Sequence, residues 1–145
     1  IDAETADAEL LRIQRSEMEL FGIYKDTEIA QVARLAQKFY EHSAVTVVEN
    51  PTIEDLKYYL STQHPIIVPT AGRELHNPFF TAPGPLYHML VLRGYTKDGF
   101  ITNDPGTRRG EGYLYDFDTI MNAMHDWNDG AVESGAKRVL VISSP

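Results

Sequence analysis

The stretch Tyr87-His88-Met89-Leu90-Val91-Leu92-Arg93-Gly94-Tyr95, followed after a Lys97-Asp98-Gly99 turn by Phe100-Ile101-Thr102-Asn103-Asp104-Pro105-Gly106, decides how the rest of the chain is read. A long apolar run with β-branched and aromatic residues, a Gly-containing turn and a second apolar run together predict a β-hairpin. His88 stands near the start of the first strand and Asp104 where the second one ends. An imidazole able to take a proton near neutral pH and a carboxylate that fixes its tautomer are two parts of a nucleophile–base–orienter system. Register decides whether they meet. If Tyr95 pairs with Phe100, simple alternation puts His88 and Asp104 on opposite faces, whereas a one-residue shift or bulge puts them on the same face. On spacing alone, His88 reads more readily as a packed or exposed structural histidine, and Asp-Pro-Gly as a turn.

Outward from the hairpin, helices precede strands. Ala3 to Leu20 predicts a helix with Leu10, Leu11, Ile13, Met18, Leu20 and Phe21 as an apolar stripe, stopped by Gly22. Asp26 or Thr27 caps a second helix with Ile29, Val32, Leu35, Ala36 and Phe39 at helical spacing. Val45 to Val48 predicts a strand. Thr52 caps a third helix, with Glu54 and Asp55 in its first turn and Ile53, Leu56, Tyr59 and Leu60 on its apolar face. Ile66-Ile67-Val68 predicts a central strand, and Pro69 to Pro85 a long loop with four prolines. After the hairpin, Asp104 to Gly112 is a glycine-rich loop and Tyr113 to Tyr115 a strand. Phe117 to Trp127 is a helix capped by Asp116, and Lys137 to Ser143 a last strand. Helices followed by an antiparallel sheet make the class α+β.

The chain of 145 residues suits a single domain spanning 1–145. With 13 Lys and Arg against 21 Asp and Glu, the net charge of −8 argues against nucleic acid as a partner. No apolar run is long enough for a membrane span. There is no cysteine, which removes disulfides, thiolate metal sites and cysteine catalysis by these residues alone. His42, His64, His76 and His125 lack paired ligand spacing, so neither a metal nor another cofactor is expected. Ser43 and Ser61 sit in no nucleophile-elbow context. Gly106, Gly110 and Gly112 with Arg108–Arg109 hint at an anion-binding loop but lack a Walker lysine or Rossmann spacing, and read as a turn. His125 and Trp127 read as packing residues at a helix end.

The hairpin resembles the bacteriocin-processing, C-39-like cysteine peptidases of the papain clan. In these a catalytic histidine opens a strand ending Gly-Tyr, and the catalytic acid follows in an Asn-Asp-Pro step closing the next strand. His88, Gly94-Tyr95 and Asn103-Asp104-Pro105 match that pattern, as does the stretch ending Gly110-Glu111-Gly112-Tyr113. A subgroup of uncharacterised bacterial proteins is similar more closely still, through Gly72-Arg73-Glu74-Leu75, Asn77-Pro78, Pro83-Gly84-Pro85-Leu86-Tyr87-His88 and Asn122-Ala123-Met124-His125-Asp126-Trp127. The likeness covers Thr52 to Asn128 well and the first two helices loosely.

The resemblance implies a papain-like fold of which this chain is the C-terminal two-thirds. It implies peptide-bond hydrolysis, with His88 as general base and Asp104 as its orienter. The family's nucleophilic cysteine, at the start of an early helix, has no counterpart here. Two expectations follow: a segment upstream of Ile1 carries the nucleophile and partners this chain, or the chain is an inactive module that binds a peptide or cell-wall fragment. Arg73 and Glu74 in the proline-rich loop, and Tyr87 beside the histidine, are expected to line a substrate groove. Arg73 and Glu74 read equally as a surface ion pair, and Tyr87 as core. The loop itself is expected to be ordered, with Phe79 or Phe80 buried.

Overall fold

The computed structural model describes residues 2–41 and 44–143, so that His42 and Ser43 lie outside it. The elements run α1 (Ala3–Phe21), α2 (Ile29–Phe39), β1 (Val45–Glu49), α3 (Ile53–Ser61), β2 (Ile66–Ala71), β3 (Tyr87–Tyr95), β4 (Gly99–Asn103), β5 (Glu111–Asp116), α4 (Phe117–Ala123) and β6 (Arg138–Ile142). Among the described residues, the six strands form one antiparallel sheet in the order β1-β6-β2-β3-β4-β5. The class is α+β.

The two faces of the sheet are covered unequally. Alternation sends Ile66, Val68, Leu90 and Leu92 to one face, where they pack with Leu56 and Leu60 of α3 and Ile120 and Ala123 of α4. The opposite face presents Ile67, Met89 and Leu140 to Ile29, Val32 and Ala33 of α2. Thr52 caps α3 as expected, and Asp55 completes a capping box: Thr52 Oγ1 accepts from Asp55 N, and the Asp55 carboxylate accepts from Thr52 N.

Several boundaries differ from expectation. The cap of α2 is Glu28 rather than Asp26 or Thr27, with the Gln31 side chain accepting from Glu28 N. Strand β2 continues through Pro69, which the sequence had placed in a loop. Its pairing with β6 ends at Ile67, so no ladder bond is lost where proline lacks an N–H, and the Pro69 carbonyl accepts from His125 N at 3.1 Å. Helix α4 stops at Ala123, and His125 and Trp127 lie in the irregular segment beyond it. In α1 the expected stripe is largely uncovered: Leu10 and Leu11 are 62% and 52% exposed, and Ser16 is the helix's buried residue.

Two irregularities position the hairpin. Tyr95 pairs with Phe100 and Gly94 with Ile101, but Leu92 pairs with Thr102 and Val91 with Asn103, leaving Arg93 as the extra residue of a bulge. Between β4 and β5 the extra residue is Gly112, at φ 65°, a conformation glycine adopts without penalty.

Candidate active site

The bulge at Arg93 resolves the parity problem. It shifts the lower half of the β3–β4 ladder by one residue, so that His88 and Asp104 fall on the same face. His88 Nε2 lies 2.7 Å from Asp104 Oδ1. The His88 side chain is 11% exposed and that of Asp104 fully enclosed.

The acid is held from several sides. Its Oδ1 also accepts from Gly106 N at 2.8 Å, and its Oδ2 from the Tyr115 hydroxyl at 2.6 Å. The Tyr115 hydroxyl in turn accepts from Asn77 Nδ2 at 2.6 Å, and Asn77 Oδ1 accepts from Phe79 N at 2.9 Å, which fixes the amide orientation. Burial alone would raise the Asp104 carboxyl. The hydrogen bonds from His88, Tyr115 and Gly106 outweigh it and hold the group below the usual carboxylate range. Asp104 therefore adds stability above the ordinary carboxylate range, and that contribution is lost as the pH falls through its lowered folded value. Burial pushes the Tyr115 phenol up, and the Asp104 carboxylate raises it further, so it stays a protonated donor.

An ionised carboxylate has no hydrogen to give, so His88 Nε2 must be the donor in this pair. In the neutral ring Nδ1 then carries the lone pair, and among the described residues nothing hydrogen-bonds it. The backbone carbonyl of His88 accepts from Thr70 Oγ1 at 2.8 Å, tying His88 to β2. The Phe80 ring packs edge-on against the imidazole, with centroids 5.4 Å apart. Gly106 closes against both rings. A Cβ there would lie 2.8 Å from Phe80 Cε1 and 2.9 Å from His88 Cε1, so the wall beside the base has room only for glycine.

The other expected site residues are placed differently. Tyr87, next to His88 on the strand, points to the opposite face. Its hydroxyl lies 3.0 Å from Thr27 O and 2.9 Å from Asp126 Oδ1, and its ring packs on Trp127, so it braces α2 and does not wall the site. Glu74 approaches His76 at 3.9 Å. Arg73 lines a cavity of about 270 Å³ with Asn77, Pro78, Phe80 and Gly84. Phe80 lines this cavity and also packs on the His88 ring, and Gly72, the residue before Arg73, lies against His88 Cβ. The loop reaches the base through Phe80, partly buried against the core, while Phe79 is 41% exposed. Asn77, Phe80 and Tyr115 were not singled out as site residues from the sequence. The signal for Tyr115 was its inward place on a strand, since a buried phenol needs a partner.

Among the described residues there is no cluster of three or more His, Asp or Glu side chains able to hold a metal ion, and no helix long and apolar enough to cross a membrane.

No curated protein matches the chain. Among solved structures it is similar to a protein described as a C39-like peptidase from Bacillus anthracis, with a TM-score of 0.57 and 15% identity over 82% of this chain. That likeness is one of fold, and the chain spans 60% of the other protein's length. The model of the Peptidase_C39 like family matches residues 20–130, a span that takes in α2 through α4 with His88 and Asp104, and the chain belongs to that family.

Proposed function

We propose that this domain is the base-and-orienter half of a thiol peptidase site, with His88 as general base and then general acid, and Asp104 as its orienter. The observation that carries the reading is the His88 Nε2–Asp104 Oδ1 contact of 2.7 Å, which leaves Nδ1 free to accept a proton. In the proposed cycle a thiol S–H gives its proton to Nδ1, and the thiolate attacks the scissile carbonyl. The imidazolium returns the proton to the leaving amine as the C–N bond breaks. Water, deprotonated by the same nitrogen, then releases the acyl group. The sequence holds no cysteine, so on this reading the thiol belongs to a residue outside these 145.

The missing thiol favours a second reading, a silent module that holds peptides in the same place. The experiment separates them. The 145-residue chain alone is expected to hydrolyse no peptide or ester through an acyl-enzyme, because a base without a nucleophile has nothing to activate. If its own gene encodes a cysteine-bearing segment, the joined protein is expected to turn over peptides and to be stopped by thiol alkylation. Turnover by the chain alone would mean that a hydroxyl serves as nucleophile. No turnover by the joined protein, with peptide binding retained, would favour the silent module.

A further inference from the structure

The glycine-rich loop after Asp104 carries two guanidinium groups that the peptidase reading leaves unused. Arg108 and Arg109 are exposed, and among the described residues neither forms an ion pair. They stand out in a chain of net charge −8. With Phe79, Gly106 and Thr107 they line a cavity of about 410 Å³. The Arg109 guanidinium lies over the Phe79 ring, 4.6 Å from its centroid, and Arg109 N donates to Thr107 Oγ1 at 3.2 Å, so one arginine is held at the cavity wall. Phe79 is itself set by Asn77 and by an edge-on contact with Tyr113, with centroids 6.1 Å apart.

This cavity adjoins the site. Gly106 lines it and is also the residue packed against the His88 imidazole. An extended peptide advances roughly 3.3 Å per residue, so the cavity that begins at Gly106, beside the imidazole, lies within the reach of one or two residues from a carbonyl at His88. The nearest carboxylate in sequence on one side, Asp104, is committed to His88, Tyr115 and Gly106, and Glu111 on the other side is exposed and unpaired with either arginine. The cavity thus offers guanidinium groups that, among the described residues, no carboxylate engages. A guanidinium's planar fork suits a carboxylate, and a stacked, pre-placed one loses less freedom on binding.

We infer that the cavity formed by Phe79, Gly106, Thr107, Arg108 and Arg109 is a substrate subsite that selects peptides bearing a carboxylate one or two residues from the bond presented to His88. The inference rests on the peptidase-type reading for the peptide's position, but its test does not need turnover. The ¹⁵N-labelled 145-residue chain is titrated with acetyl-Ala-Ala-Glu-Ala-Ala-amide, its Gln counterpart, acetyl-penta-alanine with a free C-terminus, and sodium acetate. At least one carboxylate peptide is expected to bind about tenfold more tightly than the Gln peptide, shifting the Gly106, Thr107 and Arg109 amides. The Arg108→Gln/Arg109→Gln variant, with an otherwise unchanged spectrum, is expected to bring that preference below about twofold. Equal binding of all peptides, binding of none, shifts by acetate alone, or a preference that survives the double substitution would overturn the inference. Charge selectivity in the chain, with no turnover once it is joined to a cysteine-bearing segment, would sink the peptidase reading and leave the subsite standing. Turnover without charge selectivity would do the reverse.

Discussion

Replacing His88 by alanine in the thiol-bearing protein is expected to lower kcat/KM for peptide hydrolysis by at least about 10³-fold. The proton of a thiol has to go to a nearby acceptor before sulfur can attack, and on the proposed reading that acceptor is Nδ1 of His88. Alanine removes it and provides no other. The fold should survive, because Asp104 keeps its bonds from Tyr115 and Gly106, and the core face around Leu90 and Leu92 is untouched. Retained far-ultraviolet circular dichroism and an unchanged elution volume check this. The loss should fall on kcat more than on KM, since the imidazole acts on the reacting atoms. A fall of less than about tenfold would remove His88 from the mechanism.

Asp126→Ala is expected to destabilise the domain by about 3–5 kcal/mol, read as a lowered urea midpoint at unchanged slope. Asp126 is completely buried. Its carboxylate accepts from the backbone N–H of Ile29 at 3.1 Å, from Trp127 N at 2.9 Å, from the Tyr87 hydroxyl at 2.9 Å and from Arg138 Nε. One side chain thus joins the N-terminus of α2, strand β3, strand β6 and the segment after α4. Ile29 is the first residue of α2, where a negative charge also complements the helix dipole. Alanine would leave Arg138 with Glu28 and Glu49 at the surface, and the Tyr87 hydroxyl with Thr27 O alone. Burial and the Asp126 charge both push the Tyr87 phenol up, so it remains a neutral donor. Asp126→Asn, which keeps shape and two acceptor sites, should cost less. A loss under about 1 kcal/mol for the alanine variant would mean that this hub contributes no more than a surface group.

The parts of the fold that follow from local chemistry were legible in the sequence. The Thr52 cap, the hairpin of Tyr87–Tyr95 and Gly99–Asn103, and the periodicity of α2 each depend on neighbours within a few residues. The parts set by distant contacts were not. Pro69 reads as a strand breaker, yet it sits in β2 because the pairing of β2 with β6 stops at Ile67, so no ladder bond calls for an N–H there. His125 and Trp127 read as the end of α4, but the chain leaves the helix at Met124 to form the Asp126 hub, whose partners run from Ile29 to Arg138. The apolar stripe of α1 is plain in the sequence and stays largely exposed among the described residues, because periodicity predicts a helix and not its partner.

The site divided the same way. His88 and Asp104 stood out by their position at the strand ends. Their meeting depended on one extra residue in β3, which Gly94 hints at but alternation cannot locate. Tyr87 was expected in the groove because it adjoins His88, yet adjacent strand residues face opposite ways. Asn77 and Tyr115 support Asp104 from a loop and a strand far along the chain, and no short-range pattern links them.

The central claim is that Asp104 holds His88 as the Nε2–H tautomer with Nδ1 bare. Two-bond ¹H–¹⁵N correlation on the His88 ring at neutral pH tests it on the chain as it stands. The account predicts a protonated Nε2 and an unprotonated Nδ1, with that preference lost in Asp104→Asn, whose amide can donate back to the ring. A His88 ring protonated at Nδ1 instead, or a tautomer indifferent to Asp104→Asn, would contradict it.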